Sequence, residues 1–176
     1  MNPAQPQQAA LSINVIFPHT AASSLPAPAS PTHGDPAMIN SRKLEDLHPK
    51  VAAFCQDFIN RAAAQGIDIL ITSTYRDKES QDALSAPGRT APGKIVTNAR
   101  GGQSWHNWRV AFDFVPLKNG KAQWADTALF TQCGELAEAC GLEWAGRWVK
   151  FKELAHCQYT AGLKLADFQA GKSLPG

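Results

Sequence analysis

Apolar positions return at helical spacing in two long stretches of the chain. Val51, Phe54, Phe58 and Ile59 predict a helix from Pro49 to about Ala64, with Pro49 suited to a first turn and Gly66 to a stop. Leu129, Phe130, Cys133, Leu136, Ala137 and Cys140 form the stripe of a second helix, from about Thr127 to Cys140, ended by Gly141. Strands are predicted over Ile67–Thr72, Val110–Val115, Leu142–Trp144 and His156–Tyr159. Short helices are expected from Asp77 to about Leu84 and from about Leu163 to Gln169. Lys118-Asn119-Gly120-Lys121 carries an Asn-Gly turn signal, and Ser85 to Gly102 reads as a long loop. This order of elements predicts an α+β fold, a small antiparallel sheet flanked by helices, in one domain over residues 41–176.

Residues 1–40 break the pattern. They hold seven of the 12 prolines, no Lys or Arg, and one short apolar run, Ile13 to Phe17, so they read as a flexible Pro/Ala/Ser-rich segment. A secretory signal needs a basic start and a longer apolar core, so none is expected, and no stretch is long and apolar enough to span a membrane. The chain is therefore expected to be cytoplasmic on synthesis. The hydrophobic fraction is 44% and the net charge +2, which suits an ordinary globular protein and gives no basic face for nucleic acid. Cys55, Cys133, Cys140 and Cys157 form no CxxC pair, which removes a zinc-finger or thioredoxin-like reading. They are expected as buried free thiols, with a disulfide from Cys55 left open.

The candidate chemistry lies in two stretches. In Ser104-Trp105-His106-Asn107-Trp108-Arg109-Val110-Ala111-Phe112-Asp113, an aspartate falls within an apolar strand, which is costly unless something positive meets it. A metal ion shared with His106 would meet it. Phe151-Lys152-Glu153-Leu154-Ala155-His156 offers a third ligand, because catalytic zinc usually takes three protein ligands and leaves a fourth position for water. The working site is His106, Asp113 and His156 on one zinc ion, with Glu153 as base. Residues three apart on a strand face opposite ways, so a kink at Leu154-Ala155 is expected to turn Glu153 and His156 into one cleft.

With these residues in place, the chain resembles the VanY-type zinc peptidases, whose members include D,D-carboxypeptidases and L-alanyl-D-glutamate endopeptidases. The pattern Ser-x-His, six residues, Asp, then an acid three residues before a second His is met by Ser104, His106, Asp113, Glu153 and His156. Ser73-Thr74-Tyr75-Arg76, Gly88-Arg89-Thr90, Val96-Thr97-Asn98-Ala99 and Glu143-Trp144-Ala145-Gly146-Arg147-Trp148 resemble the endopeptidase branch, including phage endolysins. The resemblance spans about residues 41–170. It implies zinc-dependent hydrolysis of a peptidoglycan stem peptide by a monomer, released to the cell wall or periplasm. Glu153 would be the base and Arg76 would meet a substrate carboxylate or developing negative charge. Ser104, Gln81 and Trp148 are the candidates for substrate contact. The family usually has Gly where Arg109 stands, which implies that the backbone there does not need positive φ, or that the loop differs. Ala145 and Cys157 also depart from the pattern without removing a ligand.

Blander readings stand beside these. Arg76 can be a structural ion pair, Ser104 a turn hydroxyl and Gln81 a solvated helix residue. The five tryptophans, between 105 and 148, suit core packing as well as a sugar platform. A D,D-carboxypeptidase or a non-catalytic zinc-stabilised wall-binding module remains the alternative function.

Overall fold

The computed structural model describes residues 38–175, and the segment expected to be flexible lies outside them up to residue 37. Among the described residues, contacts with the domain are made ahead of Ser41, where the sequence places the start of folded structure. Ile39 N donates to Asp77 Oδ2 at 2.7 Å, and Asn40 forms an isolated bridge with Arg76.

Helix α1 (Pro49–Ala64) opens on His48, whose Nδ1 accepts from Lys50 N at 3.3 Å. It buries Val51, Cys55, Phe58 and Ala62, one side of the helix at successive turns. Gly66, at φ 74°, turns the chain into β1 (Asp68–Ser73). Asp77 caps α2 (Lys78–Ser85) by accepting from Ser80 N at 2.7 Å. After a long loop and a 3-10 turn at Trp105–Trp108 comes β2 (Ala111–Lys118). Asn119 and Gly120, both at positive φ, close the predicted hairpin to β3 (Lys121–Ala122).

Helix α3 (Thr127–Ala139), capped by Asp126, leads to β4 (Glu143–Trp144), β5 (His156–Gln158) and α4 (Leu165–Gln169). The sheet order is β1-β2-β5-β4, with β3 beside β2 and every pairing antiparallel. The expected α+β class and antiparallel sheet are therefore present.

Phe112 and Phe114 of β2 face the helices, with Phe58 5.0 Å from Phe114 and Phe130 5.6 Å from it between ring centroids. That aromatic layer anchors the central strand. Gly134 of α3 has no room for a side chain: a Cβ there would lie 2.1 Å from the Trp144 ring. The indole thus lies directly on the helix, and its Nε1 donates to Leu154 O at 2.8 Å. Trp105 and Trp108 pack on Phe168 of α4, so Trp108 and Trp144 serve packing while Trp105 both packs and lines the cleft. All four cysteines are buried and free, and burial pushes the Cys55 thiol up to about 12. The possible disulfide from Cys55 is absent.

One expectation is overturned. Arg109 adopts φ 62°, ψ 21°, so the turn between His106 and β2 keeps the left-handed backbone that the usual glycine would favour. Its side chain compensates. The guanidinium stacks 3.8 Å from the Tyr75 ring centre and donates to Asp46 O at 2.6 Å.

Candidate metal centre and cleft

Register builds the site. Asp113 of β2 pairs with Ser73 on one side and His156 on the other, so the three side chains form a row across β1, β2 and β5. This face is opposite to the phenylalanine layer. His106 comes from the 3-10 turn just before β2, and its Nε2 lies 3.3 Å from Asp113 Oδ1. His156 Nδ1 lies 3.1 Å from the same oxygen. The ligand atoms of the three residues all fall within 4.8 Å of one another.

Hydrogen bonds behind the rings define which nitrogens face inward. His106 Nδ1 lies 2.7 Å from Thr74 O, a pure acceptor, so Nδ1 carries a hydrogen and Nε2 presents a lone pair. Gln158 Nε2 donates to Glu143 Oε2 at 3.1 Å. That bond orients the amide so that its oxygen meets His156 Nε2 at 3.2 Å, leaving His156 Nδ1 as the inward lone pair. Two lone pairs and a carboxylate therefore converge on one small volume. Such a cluster requires protons or a cation. For His156, burial lowers the pKa, but the hydrogen bond and charge of Asp113 outweigh it and the net direction is up. Burial would raise the Asp113 carboxyl, but the two histidines hold it well below the usual range. Two imidazoles and a carboxylate also form a donor set suited to a divalent metal.

The other candidates surround an open cleft of about 510 Å³. Glu153 lies at its edge, half out in solvent, with Oε2 4.0 Å from His156 Nδ1. The kink falls at Leu154–Ala155, as the sequence requires. Glu153 N donates to Ala145 O, His156 N to Glu153 O, and the Trp144 indole clamps Leu154. Arg76 also lines the cleft, with Nη2 4.0 Å from Asp113 Oδ2. Burial lowers its pKa, while Asp113 and Glu153 act in the raising direction.

Ser104 and Trp148 both line the cleft, and the Trp148 ring is 5.7 Å from that of His156. Gln81 does not. It is buried, accepts from Arg76 Nη1 at 2.8 Å and donates to Ala99 O at 2.8 Å. The structure thus overturns the solvated-surface reading of Gln81, whose amide is divided between Arg76 and the Ala99 carbonyl. Sequence reasoning passed over Thr74 O, Gln158 and Glu143. Gln158 carried a signal, lying two residues beyond His156 and so on the same strand face.

A family profile described as D-alanyl-D-alanine carboxypeptidase, of the M15 peptidases, matches residues 97–159, the span holding His106, Asp113, Glu153 and His156. The peptidoglycan L-alanyl-D-glutamate endopeptidase CwlK of Bacillus subtilis is 36% identical over 141 residues, 72% of this chain and 81% of that protein. The L-alanyl-D-glutamate peptidase of Listeria phage A118 is 29% identical over 70% of this chain, which spans 41% of the phage protein. The L-Ala D-Glu endopeptidase ChiX of Serratia marcescens has the same fold, at TM-score 0.52 and 20% identity over 66% of this chain and 83% of that one. A VanY D,D-pentapeptidase solved with Zn(II) superposes at TM-score 0.51 and 18% identity, over 64% of this chain and 72% of that one. On the CwlK match, the chain belongs to the M15, VanY-type, family of peptidases.

Proposed function

We propose that the protein is a peptidoglycan hydrolase that uses one zinc ion, acts as a monomer at the cell wall, and cleaves the L-alanyl–D-glutamate bond of the stem peptide. The observation that carries this reading is the convergence of His106 Nε2, Asp113 and His156 Nδ1 in the same cleft as a solvent-exposed Glu153 carboxylate. Those three residues would hold the metal. When bound, zinc supplies a Lewis acid that acidifies its water toward a pKa of ~7 and polarises the scissile carbonyl.

The rest is done by side chains of the chain. Glu153 Oε2 accepts the proton of the attacking water and returns it to the departing amide nitrogen. A carboxylate in this exposed position is free to swing between the two. Arg76, braced by Gln81 at Nη1 and by Ser73 Oγ at Nη2, retains N–H groups directed at the cleft. A D-glutamyl residue linked through its side chain leaves a carboxylate beside the scissile bond, and a guanidinium is a suitable partner for it. Ser104 and the Trp148 ring line the path of the peptide.

The similarity to CwlK supports the choice of bond, and the similarity to the Listeria phage enzyme supports a role as a lysin. The test is product analysis. Purified peptidoglycan is digested with the zinc-loaded protein, and new amino termini are labelled and identified. Terminal D-glutamate is expected, and chelation of the metal should stop its appearance. Release of free D-alanine without new D-glutamate termini would instead assign a D,D-carboxypeptidase.

A further inference from the structure

We infer that Gln158 and Glu143 are positioning residues that fix the ring of His156 for metal binding. The inference rests on the metal reading above. It begins from a chemical ambiguity: a neutral imidazole carries one hydrogen, and either nitrogen can hold it. If His156 carried it on Nδ1, the hydrogen would point at Asp113 and no lone pair would face the site.

The structure resolves this with a three-member relay. Glu143 Oε2 accepts from Gln158 Nε2 at 3.1 Å, and Gln158 Oε1 faces His156 Nε2 at 3.2 Å. A carboxylate cannot donate, so it admits only one orientation of the Gln158 amide, and that orientation offers only an acceptor to His156. The relay favours the hydrogen at Nε2, against the pull of Asp113 Oδ1, which lies 3.1 Å from Nδ1.

Sheet geometry makes the relay rigid. Glu143 of β4 pairs directly with Gln158 of β5, and Gln158 is two residues from His156 on the same face. Gln158 is 3% exposed, so its orientation is not averaged by water. Glu143 also accepts from Trp148 Nε1 at 2.7 Å through its other oxygen. The carboxylate is thus held on both sides, and the indole that lines the cleft is tied to the residue that orients the ligand. His106 has the simpler arrangement, in which the Thr74 carbonyl orients the ring alone.

The experiment reads zinc affinity and ring tautomer, not peptide cleavage. Zinc affinity is measured by competition with a chromophoric chelator. The tautomer is read from histidine 15N shifts of the metal-free protein at alkaline pH. Gln158→Met removes the acceptor at similar volume and should weaken zinc by about 10- to 100-fold, the range for partners behind a metal ligand. The hydrogen of His156 should then no longer sit only on Nε2. The exchange Glu143→Gln with Gln158→Glu reverses donor and carboxylate along the same bond and still offers His156 an acceptor, so it should recover most of the affinity. If Gln158→Met does not fold, Glu143→Ala at the exposed end frees the amide to turn over and should weaken zinc in the same direction.

Unchanged affinity and an unchanged tautomer in folded Gln158→Met would overturn the inference and leave the zinc reading standing. A wild-type protein that binds no zinc would overturn both.

Discussion

The left-handed turn at Arg109 joins the first histidine of the site to the strand that carries Asp113, and its energetics can be separated by two substitutions. Left-handed backbone costs a residue with a Cβ about 1–2 kcal/mol. Glycine avoids that cost, but its greater freedom in the unfolded chain takes back about 0.5–1 kcal/mol. Arg109→Ala should therefore be less stable than Arg109→Gly by about 1 kcal/mol. Both lose the guanidinium contacts. Stacking on Tyr75 at 3.8 Å is worth about 0.5–1 kcal/mol at a half-exposed site. The bond to Asp46 O adds about 1 kcal/mol. The Asp46 carboxylate at 3.7 Å adds little, because that pair is open to solvent. The wild type should thus exceed Arg109→Gly by about 1 kcal/mol and Arg109→Ala by about 2 kcal/mol. Urea unfolding at a fixed zinc concentration, followed by circular dichroism, measures all three. Arg109→Ala as stable as Arg109→Gly, or more stable, would refute the reasoning, since the left-handed cost would then not exceed the entropy that glycine takes back.

Glu153→Ala should lower kcat on peptidoglycan by about 10²–10⁴-fold while zinc content per chain stays at the wild-type level; activity within a few-fold of wild type would remove Glu153 as the proton carrier. Metal-free protein should show the opposed titrations of the site. His156 is raised in the fold, so its stabilising contribution is complete below its ordinary value of 6.5 and is lost as pH rises through the folded value. Asp113 is lowered, so its contribution is complete above its ordinary value of 3.8 and is lost as pH falls through the folded value. Denaturation midpoints should therefore peak between those limits. The decline just above 6.5 belongs to His156, because the buried thiols, with ordinary value 9.0, begin to act only at higher pH. A flat profile from neutral to mildly alkaline pH would contradict the His156–Asp113 pairing.

The helices, strands and kink were legible because each rests on local signals: helical spacing in α1 and α3, the Asn-Gly hairpin, and the opposed faces of residues three apart at Glu153 and His156. The aspartate in an apolar strand announced a positive partner for the same reason. What the sequence concealed depends on long-range contacts. Gln81 looks like a solvated helix residue until Arg76 and Ala99 O close over it. Arg109 carries no mark of its backbone, because the compensation comes from Tyr75 and Asp46, far along the chain. Gln158 shares a face with His156, but its orientation is set by Glu143 on a neighbouring strand, a pairing that only sheet register reveals.

Diffraction at the zinc absorption edge from crystals of the metal-loaded protein tests the central claim most directly. One anomalous peak per chain is predicted, at about 2.0–2.2 Å from His106 Nε2, an Asp113 oxygen and His156 Nδ1, with a position left open toward Glu153. A peak among the cysteines, or none at the histidines, would contradict the account.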